Sequence, residues 1–266
     1  MVDVKHEPVA GILSAGGELY ANLLKRSLTN TVFAAEPDAN NKDQLRLALE
    51  FNRHYMKGAA ISMLPLSRLD NLQACIVDAV SRGVPGDLIE AGVWRGGATI
   101  FMRGVLKALG VTGRRVWVAD SFEGLPEPDA EKYPLEASTH RGPVMTRAFN
   151  HFAASLEEVQ QNFRAYELLD DQVMFLKGWF KDTLPKASVE QLAVLRVDGD
   201  YYESTMDAFT HLYPKLSIGG YAICDDYGED SWTYCRRAVD EFRDLSNISD
   251  PVVHVDSRCI YWQRTR

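Results

Sequence analysis

Acidic residues recur where the short apolar runs of this chain end. Glu90 lies within Asp87-Leu-Ile-Glu-Ala-Gly92, and Asp120 closes Arg115-Val-Trp-Val-Ala-Asp-Ser121. Asp198 and Asp200 follow Leu192-Ala-Val-Leu-Arg-Val, and Asp225 and Asp226 follow Tyr221-Ala-Ile-Cys. Each run reads as a buried strand. In an open α/β sheet, ligands bind outside the carboxyl ends of the strands, so acids from four strands are expected to converge on one rim. Gly178, near the end of the run 173–179, belongs to the same rim.

The first run opens into Glu90-x-Gly92-x-x-x-Gly96-Gly97 and then into a helical pattern over 100–109. Strand, glycine turn and helix form the first unit of a nucleotide-binding sheet. The turn lacks the Gly-x-Gly-x-x-Gly order, and its leading carboxylate disfavours a phosphate and favours a cation. Asp120, 30 positions on, is suited to accept hydrogen bonds from two ribose hydroxyls. A ligand with a ribose and a positive charge but no phosphate points to S-adenosylmethionine rather than NAD. The bland alternative is an ordinary strand–turn–helix with an incidental acid.

Asp198 stands 27 and 28 residues before Asp225 and Asp226. A right-handed strand–helix–strand crossover would bring their strand ends side by side. Three carboxylates together repel one another, and a divalent cation relieves the repulsion. Oxygen ligands without His or Cys suit Mg²⁺, with Mn²⁺ or Ca²⁺ as substitutes. Such a metal would lower the pKa of an acceptor hydroxyl, and Asp198 is the candidate catalytic base as well as a ligand. The alternative is that these acids cap helices or bind water and arginine; Asp200 in particular reads equally well as the start of the next helix. Trp179 is either an adenine-stacking ring or core. His140 and His151, in a long polar stretch, are candidate acceptor contacts or merely exposed. Neither a Gly-x-Ser-x-Gly elbow nor a Walker lysine motif occurs.

Elements that would position these residues follow from periodicity. A helix from Ala15 carries Leu19, Leu23, Leu24 and Leu28 on its apolar face, with Lys25-Arg26 near its C-terminal end. The polar segment 36–43 reads as a loop, residues 42–55 as a second helix, and a third helix, capped by Ser67 or Asp70, carries Leu69, Leu72, Ile76, Val77 and Val80. Gly83-Val-Pro-Gly86 is the clearest boundary. The chain therefore divides into a helical N-terminal extension, 1–84, and an α/β core, 85–266. Within the core, strands and helices alternate. Residues 123–152 hold four prolines and little periodicity, as a lid or binding loop would. Two short strands, 252–256 and 258–263, read as a hairpin that adds antiparallel edge strands to a mostly parallel, Rossmann-like sheet.

The 266 residues, 46% apolar and 25% charged, suffice for one ordinary core. A formal charge of −8 without a basic cluster argues against a nucleic-acid surface. No apolar run approaches the ~20 residues that span a bilayer, and the polar N-terminus lacks a secretory signal. Four scattered cysteines without CxxC spacing predict reduced thiols in a cytoplasmic protein.

On these residues the chain resembles the macrocin O-methyltransferase family, bacterial enzymes that modify sugars and other parts of natural products. The likeness runs from about Gly17 to Arg264. It is carried by Glu18-Leu-Tyr-Ala-Asn-Leu-Leu-Lys-Arg26, Arg68-Leu-Asp-Asn-Leu-Gln73, the segment 86–97, Trp117-Val-Ala-Asp-Ser-Phe122, the segment 178–185, Leu195-Arg-Val-Asp-Gly-Asp-Tyr201 and Asp225-Asp-Tyr227. The resemblance implies a class I methyltransferase fold, S-adenosylmethionine as donor and a Mg²⁺ ion held by Asp198, Asp225 and Asp226. It places the cofactor motif on Glu90, Gly92, Trp94, Arg95, Gly96, Asp120 and Ser121, the adenine side on Gly178 and Trp179, and Met63 near cofactor and acceptor. It implies N-terminal helices that build a homo-oligomer and close over the site. The expected activity is O-methylation of a small hydroxylated acceptor, a sugar of a glycosylated natural product above all. The rival readings are an NAD-dependent oxidoreductase on the same sheet, for which a Tyr-x-x-x-Lys pair is lacking, and a non-catalytic binding protein with a methyltransferase fold. Residues 33–60 and 126–152, which would choose the acceptor, match no pattern.

Overall fold

The computed structural model describes residues 12–33, 35, 36, 54, 58–142, 152–228 and 233–266. Five apolar runs form parallel strands: β1 (Asp87–Ala91), β2 (Val116–Asp120), β3 (Val173–Lys177), β4 (Leu192–Val197) and β5 (Leu216–Cys224). β6 (Val253–His254) and β7 (Ile260–Gln263) follow, and the sheet order is β3-β2-β1-β4-β5-β7-β6. β7 pairs antiparallel with both β5 and β6. The expected hairpin is therefore present, and only β7 runs against the rest. The chain passes from β3, at one edge, back past β1 to β4, so the strand order reverses between β1 and β4. That reversal opens the crevice in which α/β sheets bind ligands.

Two cores flank the sheet. On one face, Leu88, Val116 and Val118 pack with α1 (Ala15–Leu28), α2 (Leu66–Ser81), α3 (Gly97–Ala108) and α5 (Leu156–Ala165). On the other, Ile89, Trp117 and Leu195 pack with α7 (Tyr202–Leu212) and α8 (Thr233–Leu245). Two short helices, α4 (Pro134–His140) and α6 (Phe180–Thr183), lie in the connections after β2 and β3. β4 is buried at every position, as a central parallel strand must be.

Several local expectations are corrected. α1 buries Ala21, Leu24, Lys25 and Leu28, while Leu19 and Leu23 face outward at 72% and 57% exposure. Lys25 and Arg26 lie in the last turn of α1 as expected, and Lys25 Nζ in addition donates to Asp70 Oδ1 at 2.6 Å. α2 starts at Leu66, before Ser67, and its first N–H donates to Glu36 Oε1 at 2.8 Å. The cap thus comes from 30 residues upstream, and Asp70 is occupied by Lys25. The polar stretch after β2 is not featureless, because Pro134 opens α4 at the position where proline's missing N–H costs nothing. The polar N-terminus over 1–11 and, except for His54, the helix over 42–55 lie outside the described residues, as do residues 37–43 of the expected loop and His151.

Candidate active site

The glycine turn after β1 is shaped by close backbone approach. Gly92 has φ +92, and a Cβ there would overlap the carbonyl oxygen of Asp198. The Asp198 N–H donates to the Ala91 carbonyl at 2.8 Å, so the turn after β1 and the end of β4 are locked together. Trp94 takes a left-handed φ of +49 and lies beneath the Arg95 guanidinium, 4.4 Å from its ring centre. Gly96, at φ +86, is the N-cap of α3, and Gly97 faces Ile61 and Ser62 with no room for a side chain. Arg95 Nη1 donates to the Ala60 carbonyl at 2.9 Å. The segment carrying Met63, itself half-buried, therefore runs against the start of α3.

Asp120 ends β2 with both oxygens engaged. Val93 N–H donates to Oδ2 at 2.7 Å and Phe122 N–H to Oδ1 at 2.8 Å, with Ser121 Oγ at 3.3 Å. Burial raises its pKa, against the pull of the backbone N–H groups of Val93, Phe122 and Trp94. In this state Asp120 ties the glycine turn to β2, and any ribose hydroxyl must share its oxygens with those donors. Ser121 Oγ also donates to the Gly124 carbonyl at 2.9 Å. Gly178, at φ +135, donates its N–H to the Asp120 carbonyl at 2.9 Å, and Trp179 stands half-buried beside it at the start of α6. Glu90, Gly92, Trp94, Arg95, Gly96, Asp120, Ser121, Gly178 and Trp179 thus sit along the carboxyl ends of β1, β2 and β3.

At the ends of β4 and β5 lies a buried ionic cluster centred on a cation. Arg196, 1% exposed, pairs through Nη1 with Glu90 and through Nη2 with Asp225, and both nitrogens reach Asp198 Oδ2, at 3.1 and 3.2 Å. Asp225 also faces Arg68 of α2, whose Nη1 is 3.5 Å from Oδ1. Arg68 is fixed in turn by two hydrogen bonds to Asp256, at 2.7 and 3.1 Å. Asp226 has φ +61. Burial, then the charges of Asp200 and Asp198, push Asp226 well above the usual carboxylate range. Asp200 is raised by burial and then by Asp198 and Asp120. Burial lifts Glu90 to about 7 against the pull of Arg196.

Asp198, Asp225 and Asp226 therefore share one rim but not one ligand set: among the described residues, no three His, Cys, Asp or Glu side chains stand in metal-ligand geometry. The physical reason is Arg196, which draws Asp225 onto itself. The donor chemistry nevertheless fits a hard cation. Asp225 Oδ1 and Glu90 Oε2 are buried without a hydrogen-bond partner, and burial together with the charge of Asp198 raises both Asp200 and Asp226, a crowding that a divalent cation would relieve.

Sequence reasoning passed over Arg196, Arg68 and the weight of Asp200. The signal for Arg196 was present, since a charge inside the apolar run Leu192–Val197 must find buried acids. For Arg68 there was none, because its partner Asp256 is 188 residues away. Of the two histidines in the polar stretch, His140 places its Nδ1 2.7 Å from Tyr201 Oη, which seats α4 on the residues just after Asp200.

Residues 56–264 match the macrocin O-methyltransferase (TylF) family. The chain belongs to that family. It is 46% identical over 261 residues to mycinamicin III 3''-O-methyltransferase of Micromonospora griseorubida, covering 95% of this chain and 98% of that one. Over 262 residues, 93% of each chain, it is 46% identical to 8-demethyl-8-(2,3-dimethoxy-alpha-L-rhamnosyl)-tetracenomycin-C 4'-O-methyltransferase of Streptomyces olivaceus. The solved structure of the O-methyltransferase NovP superposes with a TM-score of 0.80 at 45% identity, covering 94% of this chain and all of that one. Family and fold together make this chain an S-adenosylmethionine-dependent O-methyltransferase, which sets aside the oxidoreductase and the non-catalytic readings.

Proposed function

We propose that this macrocin O-methyltransferase family member methylates a sugar hydroxyl of a glycosylated natural product, with Mg²⁺ as second cofactor. The observation that carries this reading is the crowding of Asp198, Asp200, Asp225 and Asp226 at the ends of β4 and β5, beside the contact between Gly92 and Asp198 that joins them to the cofactor turn. The sugar acceptor is supported by the relatives, one named for a 3'' position and one for a rhamnosyl-bearing substrate.

Bound S-adenosylmethionine would supply an electrophilic methyl group, held by Glu90, Gly92, Trp94, Arg95, Gly96, Asp120, Ser121, Gly178, Trp179 and Met63. Mg²⁺, held by Asp198, Asp225 and Asp226, would supply Lewis acidity toward the acceptor oxygen. The chain's own part is positional and acid–base. Asp198 takes the proton of the acceptor hydroxyl. Its backbone is fixed against Gly92, which holds this acid beside the donor turn.

The reading also includes a homo-oligomer, supported by the apolar residues that α1 leaves exposed. It includes a cytoplasmic setting, supported by four free, buried cysteines; among the described residues, no helix is long and apolar enough to cross a membrane. The test is mass spectrometry of glycosylated acceptors incubated with the enzyme and S-adenosylmethionine. A single added methyl on the sugar is expected. After chelation with metal loss verified, turnover should fall by on the order of tenfold or more and return with Mg²⁺. Full turnover in the metal-free enzyme defeats the Mg²⁺ part, and methylation of the aglycone alone defeats the sugar part.

A further inference from the structure

We infer that Arg196 is a positioning residue that couples the methyl-donor side of the site to the acceptor side. One guanidinium binds Glu90, beneath the glycine turn, and Asp198 and Asp225, at the ends of β4 and β5. This inference rests on the assignment of those two sides made above.

The geometry leaves the guanidinium little freedom. Arginine is planar, stays charged, and presents its donors in a rigid fork. Nη1 and Nη2 therefore cannot move independently, and a displacement of the Asp225 carboxylate turns the plane that Glu90 also rests on. The head group is buried together with Glu90 and Asp225, at 1%, 2% and 2% exposure, so water does not screen the contacts or replace a lost partner. Each outer acid spends one oxygen on Arg196 and leaves the other, Glu90 Oε2 or Asp225 Oδ1, without a hydrogen-bond partner. Those two oxygens lie on opposite arms of one fork, one on β1 and one after β5. A donor group that engages Glu90 Oε2 pulls Glu90 relative to Arg196, and the change is passed to Asp225 through a single rigid group. Arg68, anchored by Asp256, holds the far side of Asp225 and keeps it from yielding freely. The two halves of the site should accordingly report on each other's state before any acceptor binds.

The experiment is a double-mutant cycle read in the dissociation constant of S-adenosylhomocysteine, measured calorimetrically on the full chain without added metal. Asp225→Ala removes an acid on the acceptor side. It is expected to weaken S-adenosylhomocysteine at least about fivefold, a coupling of ordinary allosteric size. Arg196→Lys keeps the charge but loses the fork. It should weaken the ligand by a similar factor, and adding Asp225→Ala to it should change the affinity less than about twofold. A merely structural role for Arg196 predicts losses that add instead. Additive losses, or affinity unchanged within twofold in folded Asp225→Ala, would overturn the inference. Should Asp225→Ala fail to fold by circular dichroism, Arg196→Lys alone decides: wild-type affinity overturns the coupling, and a fivefold loss at an unchanged melting temperature supports it. Wild-type protein that binds no S-adenosylhomocysteine would instead defeat the cofactor assignment, so the two failures are distinguishable.

Discussion

Asp198 meets two constraints at once: its backbone is pressed onto Gly92, and one carboxylate oxygen is held by Arg196. Asparagine at this position keeps the size and a carbonyl for the guanidinium but removes the negative charge and the basicity. Asp198→Asn should therefore lower kcat by on the order of 10²–10⁴, the usual worth of a positioned general base, while S-adenosylhomocysteine affinity by calorimetry stays within about threefold. Retained turnover would move the proton to Asp200, and Asp200→Asn is the companion variant. Gly92 is the other residue at this contact. Gly92→Ala places a methyl group against the Asp198 carbonyl at a φ that L-residues avoid. A loss of about 3–5 kcal/mol is expected, visible as a lower denaturant midpoint together with lost cofactor binding; a wild-type midpoint would mean that β1 and β4 separate easily. The strand-end acids were legible in the sequence because each interrupts an apolar run. Their distribution was not, since charges at strand ends attract cations and arginine alike, and only three-dimensional placement shows Arg196 among them.

Among the elements, α4 is the one whose attachment bears on access to the acceptor side. It is held on the first turn of α7 by Glu136, which accepts the Tyr202 N–H at 2.7 Å, by Tyr133 stacked on Tyr202 with centroids 5.0 Å apart, and by the His140–Tyr201 bond. α7 has no side-chain cap of its own at Tyr201, so Glu136 supplies one from another element. Burial raises the Glu136 carboxyl to about 7, aided by Glu203 and opposed by the Tyr202 N–H. Its folded pKa lies above the unfolded value of 4.5, so the folded state holds the proton longer. Stability from this group is therefore lost as pH rises from the unfolded value to the folded one. Glu136→Gln keeps an acceptor for Tyr202 and has no proton to lose. It should melt roughly 2–4 °C above wild type at pH 8 and level with it at pH 4.5; a difference independent of pH would show that Glu136 acts through shape alone. The polar composition of 123–152 concealed α4, because seven residues seated by contacts with α7 carry too short a pattern to register as a helix. The sheet was legible for the opposite reason: strands buried on both faces are almost continuously apolar.

For the molecule as a whole, the boundary at 83–86 marks a change of composition, yet α1 and α2 share their core with α3 and the sheet. Leu24, Leu28, Leu69 and Leu72 pack with Phe101 and Val105, and Gly104 has no room for a Cβ because Leu24 fills it. Removing the extension would strip that face of the sheet. What α1 does not use inward is informative. Leu19 and Leu23, one turn apart, lie on its outer face, with Ile12 before the helix and Val32 and Phe33 after it, all exposed and Phe33 fully so. Single exposed apolar residues are ordinary, but a file of them along a helix about 21 Å long marks a surface that association would cover. A second copy of the same helix offers a matching file, as a two-fold interface requires. The wild-type protein is expected to run as a dimer or larger in size-exclusion chromatography with light scattering. The double substitution Leu19→Glu, Leu23→Glu should shift it to the monomer mass without loss of helix by circular dichroism, because neither side chain contributes to the core and exposed changes usually cost under about 0.5 kcal/mol. If the wild type is already monomeric, α1 is not an oligomer interface. If both forms keep the same oligomeric mass, the copies associate through another face, and α1 serves only to cover α3.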